Sequence, residues 1–275
     1  MNVNKKWLAL PGLSVIFVFT VAPLFIMLYY SFQSDSPARG FSLEQYIRFF
    51  EKPFYLSLTW STIKNSVYVT LISLVISYPL AYIMAKKLKG FKNILLILII
   101  VPFFTNQLVR VYSWLIFLQD GGVFESALTS LGLINGALGI LYTRAAVIIG
   151  LVHAFFPYMA ITIYLALEKL DNSLLEASAS LGASKLKTFG KITLPLSKPG
   201  VAAGLLLVFV PCLGTFVEPR ILGGVNGTVI GTVIEDQFFK IYGWNFGAAI
   251  AFILLAMVLL SIGAFTRLGK GKSNG

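Results

Sequence analysis

Seven side chains stand where chemistry inside an apolar chain would have to be done: Asn106, Arg110, Tyr112 and Trp114 in one stretch, His153 and Tyr158 in a second, Glu218 in a third. A charge within an apolar span is costly and usually faces protein or water. Asn106, Arg110 and then Ser113 or Trp114 recur at i, i+4, i+7 and i+8, so one helix places them on one face. That face either lines a pathway or packs against a neighbouring helix while Arg110 snorkels outward. His153, alone among apolar residues, is either a packing residue or a substrate contact. Glu218 follows Pro211 and Gly214, which should break a helix. It either borders the resulting cavity, since irregular backbone at that depth is kept from lipid, or pairs with Arg220 at the outer rim.

Other chemistries lack their residues. The tail offers Gly271-Lys272-Ser273, but Thr266 occupies the first glycine position of a phosphate-cradling loop and no strand precedes it. One histidine and one cysteine leave no zinc cluster. No serine sits in GxSxG, and no paired carboxylates share a span. The reading is therefore of a non-catalytic chain with no metal site and no bound cofactor.

The elements that must position these residues are membrane spans. Of 275 residues 57% are hydrophobic and 12% charged, with mean hydropathy +0.83. Stretches able to cross ~30 Å of hydrocarbon can be placed at 8–31, 63–85, 94–118, 145–167, 200–221 and 245–266, giving one transmembrane domain over 1–275. The net charge of +11 would suggest nucleic acid in a soluble protein, but its distribution argues for a bilayer. Fourteen basic residues fall in one alternating set of connections: Lys5, Lys6, Lys86, Lys87, Lys89, Lys92, Lys169, Lys185, Lys187, Lys191, Lys198, Arg267, Lys270 and Lys272. Six fall in the other: Arg39, Arg48, Lys52, Arg144, Arg220 and Lys240. The positive-inside rule puts both termini and the loop 168–199 in the cytoplasm. The first apolar run is too long for a signal peptide and lacks a small-residue cleavage site, so it reads as an uncleaved span. Lone Cys212 excludes an internal disulfide. Phe41 to Trp60 is dense in aromatics, fitting an interfacial belt or a docking surface for an external partner. A short helix is expected over 124–131.

The loop is built as two short helices. Ser173 and Glu176 stand as a capping box, predicting a helix from about Leu174 that ends at Gly182. Ser184 can open a second, which Pro195 should stop. Ser197 then reads as the cap, and Pro199 as the first turn, of the fifth span.

Glu176-Ala177-Ser178, then Gly182, Ile192 and Leu194-Pro195, resembles the EAA loop of ABC importer permeases, with Ser178 where the family has its second alanine. The stretches 101–114, 222–224 and 244–249 extend the resemblance to spermidine/putrescine permeases. It implies an all-α membrane protein with the type I ABC importer permease fold: six transmembrane helices and a cytoplasmic coupling-helix loop. It also implies residence in a bacterial cytoplasmic membrane, a homologous second permease subunit, an extracytoplasmic substrate-binding protein, and a cytosolic ABC ATPase dimer that alone uses ATP and Mg. Solute then crosses by alternating access, with Glu176, Ala177, Ser178, Gly182, Ile192, Leu194 and Pro195 docking on the ATPase. Arg220 in a path would repel a polyamine, which leaves an amino-acid-like or anionic solute as an alternative. A secondary transporter relaying through Arg110, His153 and Glu218, and a structural subunit without a pathway, are the readings from other classes.

Overall fold

A computed structural model describes residues 10–35, 40–88 and 90–269. Lys5, Lys6, Arg39, Lys89, Lys270 and Lys272 of the charge pattern, the first two residues of the first span and Gly271 to Ser273 of the tail lie outside them.

In chain order the helices are α1 (Leu10–Ile16), α2 (Ala22–Ser31), α3 (Glu44–Glu51), α4 (Pro53–Lys86), α5 (Lys92–Ile100), α6 (Gln107–Leu118) and α7 (Val123–Ser130). They continue with α8 (Arg144–Glu168), α9 (Asn172–Ser180), α10 (Lys185–Thr188), α11 (Leu194–Gly214), α12 (Val217–Gly223), α13 (Ile230–Phe239) and α14 (Trp244–Gly269). A π-helical turn, Phe17–Val21, joins α1 to α2, and another, Phe189–Thr193, joins α10 to α11. Among the described residues five helical runs are long and apolar enough to cross a membrane, and a sixth is made by a bent pair.

The bent pair corrects the third span. Lys92–Phe104 and Gln107–Ser130 meet at 97° instead of forming one helix over 94–118. Pro102 begins a 3-10 turn, Val101–Phe104, after which Thr105 is extended at ψ 150° and its hydroxyl donates to the Pro102 carbonyl at 2.6 Å. Asn106 then caps α6, its Oδ1 accepting from Leu108 N at 2.8 Å. A capping side chain turns back onto its own helix end, so Asn106 does not share the face of Arg110.

The fifth span is also broken. Pro211 stays inside α11, and the break falls at Thr215 (ψ 145°) and Phe216, just past Gly214. At its start Pro195 and Pro199 lie within a run continuous from Lys185 to Gly214. Pro195 therefore does not stop the second loop helix: the run passes through it, directly after the π-helical turn Phe189–Thr193. Ser197 is no cap, being buried inside α11 with its hydroxyl against the Leu194 carbonyl at 3.1 Å. The second span is longer than 63–85. Its 34 residues reach about 51 Å at 1.5 Å per residue, so the helix outruns the hydrocarbon.

The chain divides into two compact units. The first comprises the described residues of Met1–Ser57 with Val233–Ala256. Phe49 is its anchor: fully buried, it stacks on Tyr55 at 5.8 Å, which meets Phe246 at 5.1 Å. The Arg48 guanidinium sits 4.3 Å over the Phe246 ring. Phe49 and Tyr55 thus belong to packing, while Phe41, Phe50 and Phe54 stay exposed.

The second unit, the described residues of Leu58–Thr232 and Met257–Gly275, holds the residues singled out for function. Its centre is α8 against α11. A Cβ on Gly204 would meet Met159 Sδ at 2.5 Å, and one on Gly200 would meet the Thr162 carbonyl at 2.7 Å. Glycines four apart let helix backbones approach where water offers no driving force. Leu167, Ile163, Met159 and Val208 fill the core between them.

Candidate functional site

Two groups of residues form in this second unit. One is the loop following α8. Asp171, not the Ser173/Glu176 pair, caps α9: its Oδ1 accepts from Ser173 N at 2.9 Å, and the helix begins at Asn172. An Asp whose acceptor lies within reach of the first orphan N–H groups closes the end two residues before the capping box would. Those hydrogen bonds from Ser173, the backbone one first, hold the exposed Asp171 carboxyl below the usual carboxylate range.

The far end of α9 closes as a Schellman turn. Gly182 takes φ +74°, its N–H bonds the Ala179 carbonyl, and Ala183 N reaches Ser178 O at 3.1 Å. Ser184 caps α10 by accepting from Lys187 N. Ser178 is buried and its hydroxyl shares a 2.7 Å hydrogen bond with that of Thr188, tying α9 to α10. Glu176, Ala177, Leu181 and Leu186 remain exposed, the two leucines at 87% and 84%.

The loop is wired to the spans. Phe189 packs edge-on to Tyr78 at 5.6 Å and Tyr82 at 6.0 Å. Tyr78 shares a 2.8 Å hydrogen bond with Ser197. Lys86 Nζ donates to Leu170 O at 2.7 Å and Asn172 Oδ1 at 2.9 Å, and Lys92 pairs with Glu168 at 2.6 Å. Ile192 is half-buried in the π-helical turn, and exposed Leu194 and Pro195 begin α11. Every residue of the motif thus lies within one rigidly capped elbow.

The second group is a cavity of about 420 Å³ lined by Arg110, Ser113, Trp114, Phe117 and His153, among others. Arg110 and His153 also line a second cavity of about 200 Å³ with Phe103 and Pro157. The bend before Gln107 aims α6 at α8 so that the Trp114 and His153 rings meet at 5.4 Å. His153 Nδ1 is buried without a hydrogen-bond partner among the described residues. The lining of the larger cavity mixes two aromatic rings, Trp114 and Phe117, with the Thr105 and Ser113 hydroxyls, one guanidinium and one imidazole.

Of the seven residues expected at a pathway, three meet here: Arg110, Trp114 and His153. Tyr112 is half exposed and lines neither cavity, and Asn106 is spent on its cap. Tyr158 stands behind the smaller cavity, edge-on to Phe103 at 4.8 Å. Glu218 is 1% exposed and lines neither, accepting from Gln107 Nε2 at 3.1 Å and Thr215 Oγ1 at 2.8 Å. Arg220 donates to the Thr232 carbonyl at 3.2 Å. Phe103 at the smaller cavity and the bond from Gln107 to Glu218 are the features that the residue pattern did not point to. Pro102 followed by Thr105-Asn106, a helix stop and then a cap, was the signal for both.

Residues 2–271 match the family described as binding-protein-dependent transport system inner membrane component. The chain is 37% identical over 256 residues to the spermidine/putrescine transport system permease protein PotB of Haemophilus influenzae, covering 92% of this chain and 89% of that protein. It is 40% identical over 230 residues to PotB of Escherichia coli, covering 84% and 83%. Among solved structures, a bacterial ABC transporter involved in the import of the acidic polysaccharide alginate matches with TM-score 0.79 over 99% of this chain and 98% of that one. The MetNI methionine ABC transporter matches with TM-score 0.56 over 78% and 94%. Identities of 18% and 17% make these a likeness of fold. The chain therefore belongs to the family of binding-protein-dependent transport system inner membrane components, the permease subunits of ABC importers.

Proposed function

We propose that this permease carries spermidine or putrescine inward, as one half of a pathway shared with a homologous second subunit. The observation that supports this most is the 37–40% identity, across most of its length, to relatives named for those solutes. The chain itself binds no cofactor in this reading. ATP and Mg belong to a cytosolic ATPase dimer docked on Glu176, Ala177 and the exposed leucines of the elbow, with both termini on that same side. A binding protein delivers solute from outside. Closure of the ATPases displaces α9, and the capped elbow, the Phe189–Tyr78 contact and the Lys86 hydrogen bonds carry the displacement into α4, α8 and α11. Arg110, Trp114 and His153 line the path on the face of α6 and α8, with Tyr112 and Asn106 along the broken third span and Tyr158 further along α8.

One observation favours a different solute. The larger cavity presents a guanidinium and no carboxylate, an arrangement suited to an anionic or amino-acid-like compound. Substrate-stimulated ATP hydrolysis and uptake in vesicles holding all four components separates the two. Competition by unlabelled spermidine identifies the polyamine reading, and competition by an amino acid or carboxylate alone replaces it. In the same assay Glu176→Lys is expected to abolish both activities. Normal ATP-dependent uptake by that variant would remove the coupling role from Glu176.

A further inference from the structure

Glu218 is a buried acid that the cavities do not use. Its carboxylate accepts one hydrogen bond on each oxygen, from the neutral Gln107 amide and the neutral Thr215 hydroxyl. No Lys, Arg or His lies within ion-pair distance of it among the described residues. A buried carboxylate needs its charge balanced by a proton or a cation, so the site lacks a counter-ion from the protein.

Its location is equally specific. Gln107 is the first residue of α6, just past the break of the third span, and Thr215 is the break of the fifth. Glu218 therefore joins the two broken spans through their breaks. On one side α8 closes over it, for a Cβ on Gly150 would lie 3.9 Å from Glu218 Cγ and still closer to Leu222. On the other the cover is Gln107, itself exposed. One neutral side chain stands between the carboxylate and the outside of the subunit.

We propose that Glu218 is an occluded cation site of the transport path, sealed by Gln107 and Thr215 in this conformation and open to one ammonium of the solute when α6 and α12 part. The inference rests on the polyamine reading. Each carboxylate oxygen keeps acceptor capacity beyond its present hydrogen bond, which an ammonium, a three-fold donor, fills with opposite charge. Arg110, three residues along α6 from Gln107, repels the same cation, which biases it toward Glu218.

The test uses the complete transporter, resting and trapped with vanadate, with labelled spermidine and a hydrophobic carbodiimide as probes. In the wild type, carbodiimide modification of Glu218, read by peptide mass spectrometry, should rise on trapping and fall when spermidine is present. Glu218→Gln keeps the shape and an acceptor for one of the two neighbours while removing the charge, and should lower spermidine retained per trapped complex about tenfold, the scale of one charge-assisted contact. Equal modification with and without spermidine, or none in either state, overturns the site while leaving polyamine transport intact. Failure of the wild type to take up spermidine overturns the polyamine reading and this site with it.

Discussion

Asp171 shows how much one side chain decides at the elbow. It satisfies the orphan N–H of Ser173 and thereby sets where α9 begins, freeing Ser173 and Glu176 from the capping box their spacing suggests. With Glu176 left exposed, the carboxylate is available to a partner. Because the folded-state carboxyl of Asp171 is depressed, its capping contribution is complete above its unfolded value and is lost as pH falls through the folded one. Asp171→Ala should therefore raise intrinsic-rate-corrected amide exchange across 172–180 at neutral pH, and the difference from wild type should vanish in acid. A difference that is constant with pH would assign the effect to packing instead. Ser178 acts differently, since the hydroxyl that departs from the family's alanine is buried against Thr188 and links the two short helices.

At the scale of elements, the fold depends on how closely α8 and α11 approach. Gly204 faces Met159 and Thr162 at distances that no Cβ can occupy. Gly204→Val should cost about 1–3 kcal/mol through overpacking, read as a lowered melting midpoint of the detergent-solubilised subunit. An unchanged midpoint would mean that the helices can slide apart without penalty. Breaks matter as much as contacts. The 97° bend in the third span turns a helix that would cross the membrane into one that meets α8 with Arg110 and Trp114 toward His153.

For the whole molecule, the connections between the elbow and the spans differ in how exposed they are. The Lys92–Glu168 pair is short but more than a third exposed on each side, and exposed pairs contribute only about 0–1 kcal/mol. Lys92→Ala should accordingly leave thermal stability within about 1 kcal/mol of wild type and reduce uptake little. The part-buried hydroxyl pair Tyr78–Ser197 and the part-buried Lys86 donor to Leu170 are the stiffer links. Large loss of stability in the Lys92 variant, measured in the same melt, would reverse that ranking.

Composition and apolar length alone determined that this is a helical membrane protein, and the spacing from Glu176 to Pro195 pointed to its family and to the position of the loop motif. Those features are local: span length is set by bilayer thickness, and the loop motif occupies twenty consecutive residues. Gly182 at φ +74° and the Ser184 cap were legible for the same reason. Tertiary structure alone decided which polar residues meet. Period counting treats 94–118 as one helix, but Pro102 and the Asn106 cap bend it, so Asn106 leaves the face that Arg110 and Trp114 keep. Glu218 read equally well as a cavity border or an outer-rim partner of Arg220. Its actual partners are Gln107, 111 positions away, and Thr215 at the break. Contacts at that separation depend on where two helices are broken and how α8 packs between them, and no pattern within either helix carries that information.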